Sequence, residues 1–412
     1  MLMLVLLFPA STWAASSPST WEQIRANGVL RIGTPGDYAP YSIRDAHSGA
    51  YVGADIALAK RLAVELGLRA EFVPTSWKGL LDDAAAGAFD IALGGISITA
   101  DRGRSQLFSR PYTSDHKAPV TRCGEQQRFD TRAEINRPGV RLIVNQGGTN
   151  EKFARSEFPS ATLTVHPDNL TVFDEILAGR ADVMVTDSVE AQLKEKSATG
   201  LCRAEAGRDW AKASKAIMLA PDPALQDAIN RALDRTDMIE SYPRLRAQWI
   251  EQERLAAAAD DPALRLARLI DLRLTVMTEV ARWKWNRQAQ IEDLPRERAQ
   301  LASLRERGAV TGVSVAKVDG FFGAQINAAK QLQIELFERW RREQVKRFAG
   351  VLELDTDLRP AIDRVTSDML VVLASWNGGP VAREGLGALT MEAISPATIG
   401  LALRPLVDGS GS

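Results

Sequence analysis

Histidine, cysteine, net charge and long apolar runs are all scarce in this sequence, and each shortage removes a class of function. His47, His116 and His166 are the three histidines in 412 residues, and none stands at metal-ligand spacing from another, so neither a metal site nor a metal cofactor is expected. Basic and acidic residues nearly balance, 51 against 52, and no basic patch stands out, so nucleic acid is not an expected partner. The apolar run Met1 to Ala14 is too short to cross a bilayer as a helix, and no later stretch is long and apolar enough. No membrane span is therefore expected.

What that first run does offer is a leader. It closes on Thr12-Trp13-Ala14, a small-residue cleavage pattern, although a positive segment before it is missing. A signal peptide over 1–14, cleaved near Ala14, predicts export to the periplasm. Two cysteines suit that compartment, since Cys123 and Cys202 can pair where oxidation is permitted; the alternative is two unrelated buried thiols. On the chain-entropy model a loop of that size would contribute roughly 4 kcal/mol.

From Gly28 to about Ile250, short β-rich runs alternate with amphipathic helical ones: VLRIGT, DIALAKRLAVELG, AEFVPT, WKGLLDDAAAG, FDIALGG. The pattern then repeats with VRLIV, a helix after Gly148, ATLTV, NLTVFDEILAG, ADVMVTD and a helix from Ser188. Such alternation predicts mostly parallel sheets with helices on their faces, and two similar lobes imply a cleft. Arg102 follows Ser97-Ile98-Thr99, where its guanidinium fork can match a carboxylate, and the Gly94-Gly95 turn could bring backbone amides to the same anion. In Asn145-Gln146-Gly147-Gly148-Thr149-Asn150 the glycines open a helix whose N-terminus is a second candidate anion site.

The phrases GDYAPYS, GADIALAKRLAVELG, GGISITADRGRSQLFSRPY and GRADVMVTDSVEA resemble the two-lobed periplasmic solute-binding fold, and more narrowly the cyclohexadienyl dehydratases built on it. The resemblance covers residues 20–250 and implies chain crossings between lobes near Asp115 to Val120 and Lys215 to Leu219. It implies that Glu190, in Thr186-Asp187-Ser188-Val189-Glu190, is the general acid, with Asp187 at the place where amino-acid-binding relatives meet an ammonium. Asp37, Trp77, Asn145, Thr149 and Lys117 are the candidate wall residues. The resemblance implies a dehydration with decarboxylation, which requires a carboxyl kept protonated near neutral pH by burial and neighbouring negative charge.

Residues 251–261 form a charged, helix-prone connector, and Asp261-Pro262 is a clean helix start. Beyond it the stretch from Arg273 to Gln300 reads as helical with charge on its buried face. Ile270, Arg273, Met277, Val280 and Lys284 fall on one stripe, and Asp293, Arg296, Glu297 and Gln300 on another. Ala329 and Gln333 stand at i, i+4, and Arg359 opens a further helix. The competing reading is a surface ladder of salt bridges with stems lying over the core.

The order and spacing of Arg273, Lys284, Asp293, Arg296, Glu297 and Gln333, with the phrases KW, IED and FFGAQI, resemble the all-helical chorismate mutases. Arg359 is placed as in their secreted branch, in which one chain supplies the whole pocket. The expected architecture is thus an α/β two-lobed domain followed by an all-α domain over 262–405. The resemblance implies that Arg273, Arg296 and Arg359 hold two carboxylates. Lys284 and Gln333 would then donate to the ether oxygen, with Asp293, Glu297 and Gln300 as further substrate contacts. Ala329 departs from the hydroxyl residue common in relatives. A glutamine at 333 predicts a flatter pH profile than a glutamate would.

Joined, the two resemblances imply an exported enzyme without cofactor that takes chorismate to prephenate and then prephenate or arogenate to phenylpyruvate or phenylalanine. The alternative is an N-terminal module that only captures an amino acid, fused to a mutase. Self-association of the chain is left open.

Overall fold

The computed structural model describes residues 19–44, 49–204, 210–235, 238–256, 262–376 and 394–407. The expected leader, His47 and residues 257–261 of the connector lie outside them. The helices are α1 (Thr20–Asn27), α2 (Ala54–Glu65), α3 (Leu80–Ala85), α4 (Arg132–Ile135), α5 (Thr149–Glu157), α6 (Val172–Leu177) and α7 (Ser188–Ser197). They continue with α8 (Pro223–Arg235), α9 (Met238–Ala256), α10 (Pro262–Arg287), α11 (Leu294–Val310), α12 (Val315–Arg342), α13 (Arg359–Ser375) and α14 (Pro396–Val407).

Two sheets form the α/β half. In the first lobe Val29–Thr34 is flanked by parallel partners at Arg69–Pro74 and Ile91–Ala92, and Met218–Leu219 and Leu107–Phe108 extend the sheet antiparallel. The second lobe orders Thr162–His166, Arg141–Asn145, Val183–Asp187, Thr113–Arg122 and Leu201–Arg203. Val183–Asp187 is buried at every residue, as a strand covered on both faces requires. The chain leaves the first sheet after Phe108 and enters the second at Thr113, then returns between Lys215 and Met218. The first crossing thus precedes the expected Asp115 to Val120, which lies inside the strand Thr113–Arg122.

One buried carboxylate ties the first lobe together. Asp55 accepts the amides of Gly94 and Gly95 at 2.9 and 2.6 Å, the Tyr112 hydroxyl at 2.6 Å and the Tyr242 hydroxyl. Gly94 and Gly95 sit at φ +140° and +75°, and a Cβ on Gly95 would fall 2.7 Å from Tyr38, so the turn is closed to other residues. The amides expected to face a ligand are spent on Asp55.

Cys123 and Cys202 are joined at the edge of the second sheet, with Cα atoms 4.9 Å apart. The pair sits where the strands Thr113–Arg122 and Leu201–Arg203 run antiparallel.

The rest of the chain is helical. α10 and α12 carry long apolar faces, and α13 and α14 pack on them. The helix expected through Gln300 breaks after Arg287, where Gln288 turns to φ +52°, and resumes with Asp293 as N-cap of α11. Arg359 opens α13 with a proline next in line, as expected. A single core runs from α2 through Tyr242, Leu245 and Trp249 of α9 into α10 and α12, whereas the second lobe keeps separate clusters around Phe129 and Val120.

Candidate functional site

Two pockets collect the charged residues. In the interlobe cleft Asp187, 3% exposed, accepts from Lys117 Nζ at 2.8 Å, from Tyr38 Oη at 2.7 Å and from Lys215 Nζ. These two cations hold its carboxyl well below the ordinary carboxylate range despite burial. The remaining volume of about 20 Å³ is lined by Tyr38, Trp77, Ser97, Arg102, Asn145 and Asn169 among others.

Arg102 donates from Nη1 to the carbonyl of Ser97 at 2.8 Å, and burial lowers its pKa to about 10. It belongs to a single 3-10 turn rather than an α-helix. Trp77 and Thr149 line the cleft, while Asp37 lies behind Trp77, accepting its indole N–H at 2.9 Å. Burial raises Asp37 to about 6. Lys117 is turned inward onto Asp187, Asn150 and Thr149. At the head of α5 the Gly147 amide is taken by the Glu151 carboxylate at 2.7 Å, so this helix end supplies its own anion.

Glu190 sits one layer behind this wall, on the first turn of α7, and is 4% exposed. Its carboxyl is hydrogen-bonded by the Thr186 hydroxyl, which in turn accepts from Asn150 Nδ2 at 3.0 Å. Burial first, then Asp187 and Asp37, push its pKa up to about 7. Asn150, Asn169 and Lys215 were missed in the sequence, and a lysine pairing with Asp187 from the returning crossover leaves no local pattern to find.

The helical half encloses a cavity of about 410 Å³. Arg273 and Lys284 of α10 enter it with Asp293, the N-cap of α11. Arg296, Glu297 and Gln300 of α11, Gln333 of α12 and Arg359 of α13 complete the expected set, all on one volume. Arg273, 4% exposed, donates to the Gln325 carbonyl at 2.8 Å, and burial lowers its pKa to about 10. Lys284 Nζ donates to the carbonyl of Ile291 at 2.7 Å, and burial lowers its pKa. Gln333 turns its amide N–H to the Ala329 carbonyl at 3.0 Å. Asp293 accepts the Arg296 amide at 3.2 Å, and Glu297 pairs with Lys330 at 3.0 Å.

Four polar atoms around this cavity are buried without a partner: Arg273 Nε, Gln333 Oε1, Arg359 Nε and Thr366 Oγ1. Buried polar groups are rarely left unpaired, and the buried Arg273 nitrogen asks for an anion, whereas Arg359 already pairs through Nη1 with Asp355 and has only its Nε unmet. Ser303, Arg307 and Thr366 also line the wall and were not anticipated. Nor was the part played by α14, whose Ala402 carbonyl accepts from Gln325 Nε2 at 2.8 Å and so fixes the residue that orients Arg273. Among the described residues no cluster of His, Cys, Asp and Glu could hold a metal ion, and no helix is long and apolar enough to cross a membrane.

Residues 30–252 match the bacterial extracellular solute-binding proteins of family 3. The chain belongs to that family. Its binding-protein half is 42% identical, over 248 residues, to cyclohexadienyl dehydratase of Pseudomonas aeruginosa, covering 60% of this chain and 91% of that protein. It is 26% identical to the lysine/arginine/ornithine-binding periplasmic protein of Escherichia coli, over 61% of this chain and 96% of that protein. Among solved structures it is similar to an ancestral amino acid-binding protein described as a precursor of cyclohexadienyl dehydratase. That likeness has 34% identity and a TM-score of 0.52, over 56% of this chain and all of that one (100%). The extracellular family agrees with the expected compartment, and the two-lobed fold with the expected architecture.

Proposed function

We propose that the chain catalyses two consecutive steps: chorismate to prephenate in the helical cavity, then dehydration with decarboxylation of prephenate or arogenate in the cleft. The observation that carries this reading is the convergence of Arg273, Lys284, Arg296, Gln333 and Arg359, from four helices, on one volume of about 410 Å³. That size suits one small dianion, since ligand pockets run from about 300 to 1,000 Å³.

In the cavity Arg273, Arg296 and Arg359 hold the two carboxylates of chorismate and fold the side chain over the ring. The reaction is then a rearrangement within one bound molecule. Lys284 and Gln333 donate to the ether oxygen as its bond to the ring breaks and charge develops there. Donors fixed in advance act where the charge appears, typically for a few kcal/mol each. Glu297 and Asp293 receive the ring hydroxyl.

In the cleft, Glu190 gives its proton to the departing hydroxyl, exchanging its Thr186 contact for the substrate. The C–O bond breaks to release water, the bond to the ring carboxylate breaks to release CO2, and its electron pair completes the aromatic ring. Arg102 pairs with a carboxylate of the substrate. The similarity to cyclohexadienyl dehydratase supports this half, and burial of Glu190 supplies the acid. A non-catalytic amino-acid binder would meet an ammonium at Asp187, which Lys117, Lys215 and Tyr38 hold in this structure, so turnover of prephenate is what separates the two readings.

The test is to give the purified full chain chorismate and to follow phenylpyruvate. Release of phenylpyruvate supports both steps. Prephenate that accumulates would return the N-terminal half to the role of a binder, and untouched chorismate would remove the mutase.

A further inference from the structure

We propose that Arg61, which belongs to the binding-protein half, is a positioning residue for the reaction in the helical cavity; this rests on the mutase reading above. Arg61 lies on α2, its side chain only 4% exposed, with Nη1 3.4 Å from Asp357 Oδ2 and donating to Ser241 Oγ on α9 at 2.7 Å. Asp357 is itself sealed, its side chain 0% exposed. Its carboxylate accepts the Glu353 amide at 2.7 Å and the Thr356 hydroxyl at 3.2 Å, and so closes the single π-type turn Leu354–Leu358.

That turn is a wall of the helical cavity. Leu354 lines it, and the residue following the turn is Arg359, a proposed carboxylate holder. The approach to the turn is anchored on the same side: Arg244 of α9 donates to the Ala349 and Gly350 carbonyls at 2.9 and 3.0 Å. Gly350, at φ +59°, lets the backbone lie against Glu240, where a Cβ would come 3.2 Å from the carbonyl oxygen. Segment 349–358 is thus held from both ends by the α/β half. A buried charge pair fixes geometry strongly, because neither partner can turn to water when the other moves. Without Arg61, Asp357 is a buried carboxylate lacking its cation, and the turn relaxes to hydrate it. Asp355 of the same turn pairs with Arg359 Nη1, so a shift of the turn carries the guanidinium with it, and a misplacement of about 1 Å in a positioning group can cost on the order of 100-fold in rate.

The experiment is a double-substitution cycle on the full chain, assaying mutase and dehydratase separately. Arg61→Met should raise the KM for chorismate about tenfold or more while dehydratase turnover stays within about twofold, since Arg61 does not line the cleft. Arg61→Lys should recover most of the loss. In an Arg359→Met background the same Arg61→Met change should add little, because the residue it acts through has gone. Additive losses, equal decline of both activities, or Arg61→Met kinetics like those of the unsubstituted chain would each overturn the proposal. If the unsubstituted chain leaves chorismate untouched, the mutase reading fails first, and does so before any substitution is made.

Discussion

The two pockets satisfy their charges in opposite ways. In the cleft Asp187 has three donors, the Gly147 amide has Glu151, and about 20 Å³ of space remains. In the helical cavity, around some 410 Å³, Arg273 and Arg359 each keep a buried Nε without a partner, although Arg359 Nη1 pairs with Asp355. The first site is closed in this structure: the lobes are joined by the 109–112 and 216–217 crossings, and the Lys–Asp contacts fill the space between them. The second is built in advance from helices with one shared core. Electrostatic stabilisation acts most strongly through groups already in place, whereas a cleft that closes excludes water and can keep an acid protonated. Each arrangement suits the chemistry proposed for it.

Breaking that contrast at its acid should give the largest effect. Glu190→Gln keeps the side-chain volume and removes the proton, so dehydratase kcat should fall about 10² to 10⁴-fold with prephenate binding and mutase turnover retained. Steady-state rates on prephenate beside a titration of binding would check this, and a variant with near-normal kcat would move the acid elsewhere. Next, Lys284→Ala should lower mutase kcat about 10² to 10³-fold and leave the dehydratase intact. A loss in both activities would mean that the pockets are not independent machines.

The smallest and most discriminating effect is on pH dependence. Burial raises the Glu190 pKa to about 7, and the acid role proposed for it needs the protonated form. The dehydratase should therefore be fully active below that value and lose about tenfold per pH unit well above it. Gln333 has no proton to lose, so mutase turnover should not decline between about pH 5 and 8. Parallel pH–rate profiles of the two steps would check the difference, and a mutase rate falling alongside the dehydratase would contradict it.

Much of this was legible in the sequence because the patterns are local. VLRIGT became a strand, as did VMVTD within ADVMVTD, and the Arg273 stripe faces the core as its spacing required. What escaped is non-local. Lys215 reaches Asp187 from a different pass of the chain, and Gln325 owes its position to Ala402, far along the sequence. The Gly94-Gly95 turn looked like an anion cradle, and chemically it is one, but the anion is Asp55. A short motif states which donors exist; it does not state who receives them. Likewise the helix through Gln300 broke at Gln288 because periodicity continues across a turn that only the backbone reveals.

The uneven distribution of the hydrophobic core has a mechanical consequence. Apart from Val189, the second lobe contributes nothing to the large cluster that welds the first lobe to the helices, and it is cross-stitched on its own by Cys123–Cys202. A parting of the lobes would therefore be a swing of the lighter second lobe, since the first is joined to the helices through one core. On the proposed function the fused helices would be ballast on the first lobe, and an opening of the cleft would leave the neighbouring cavity undisturbed.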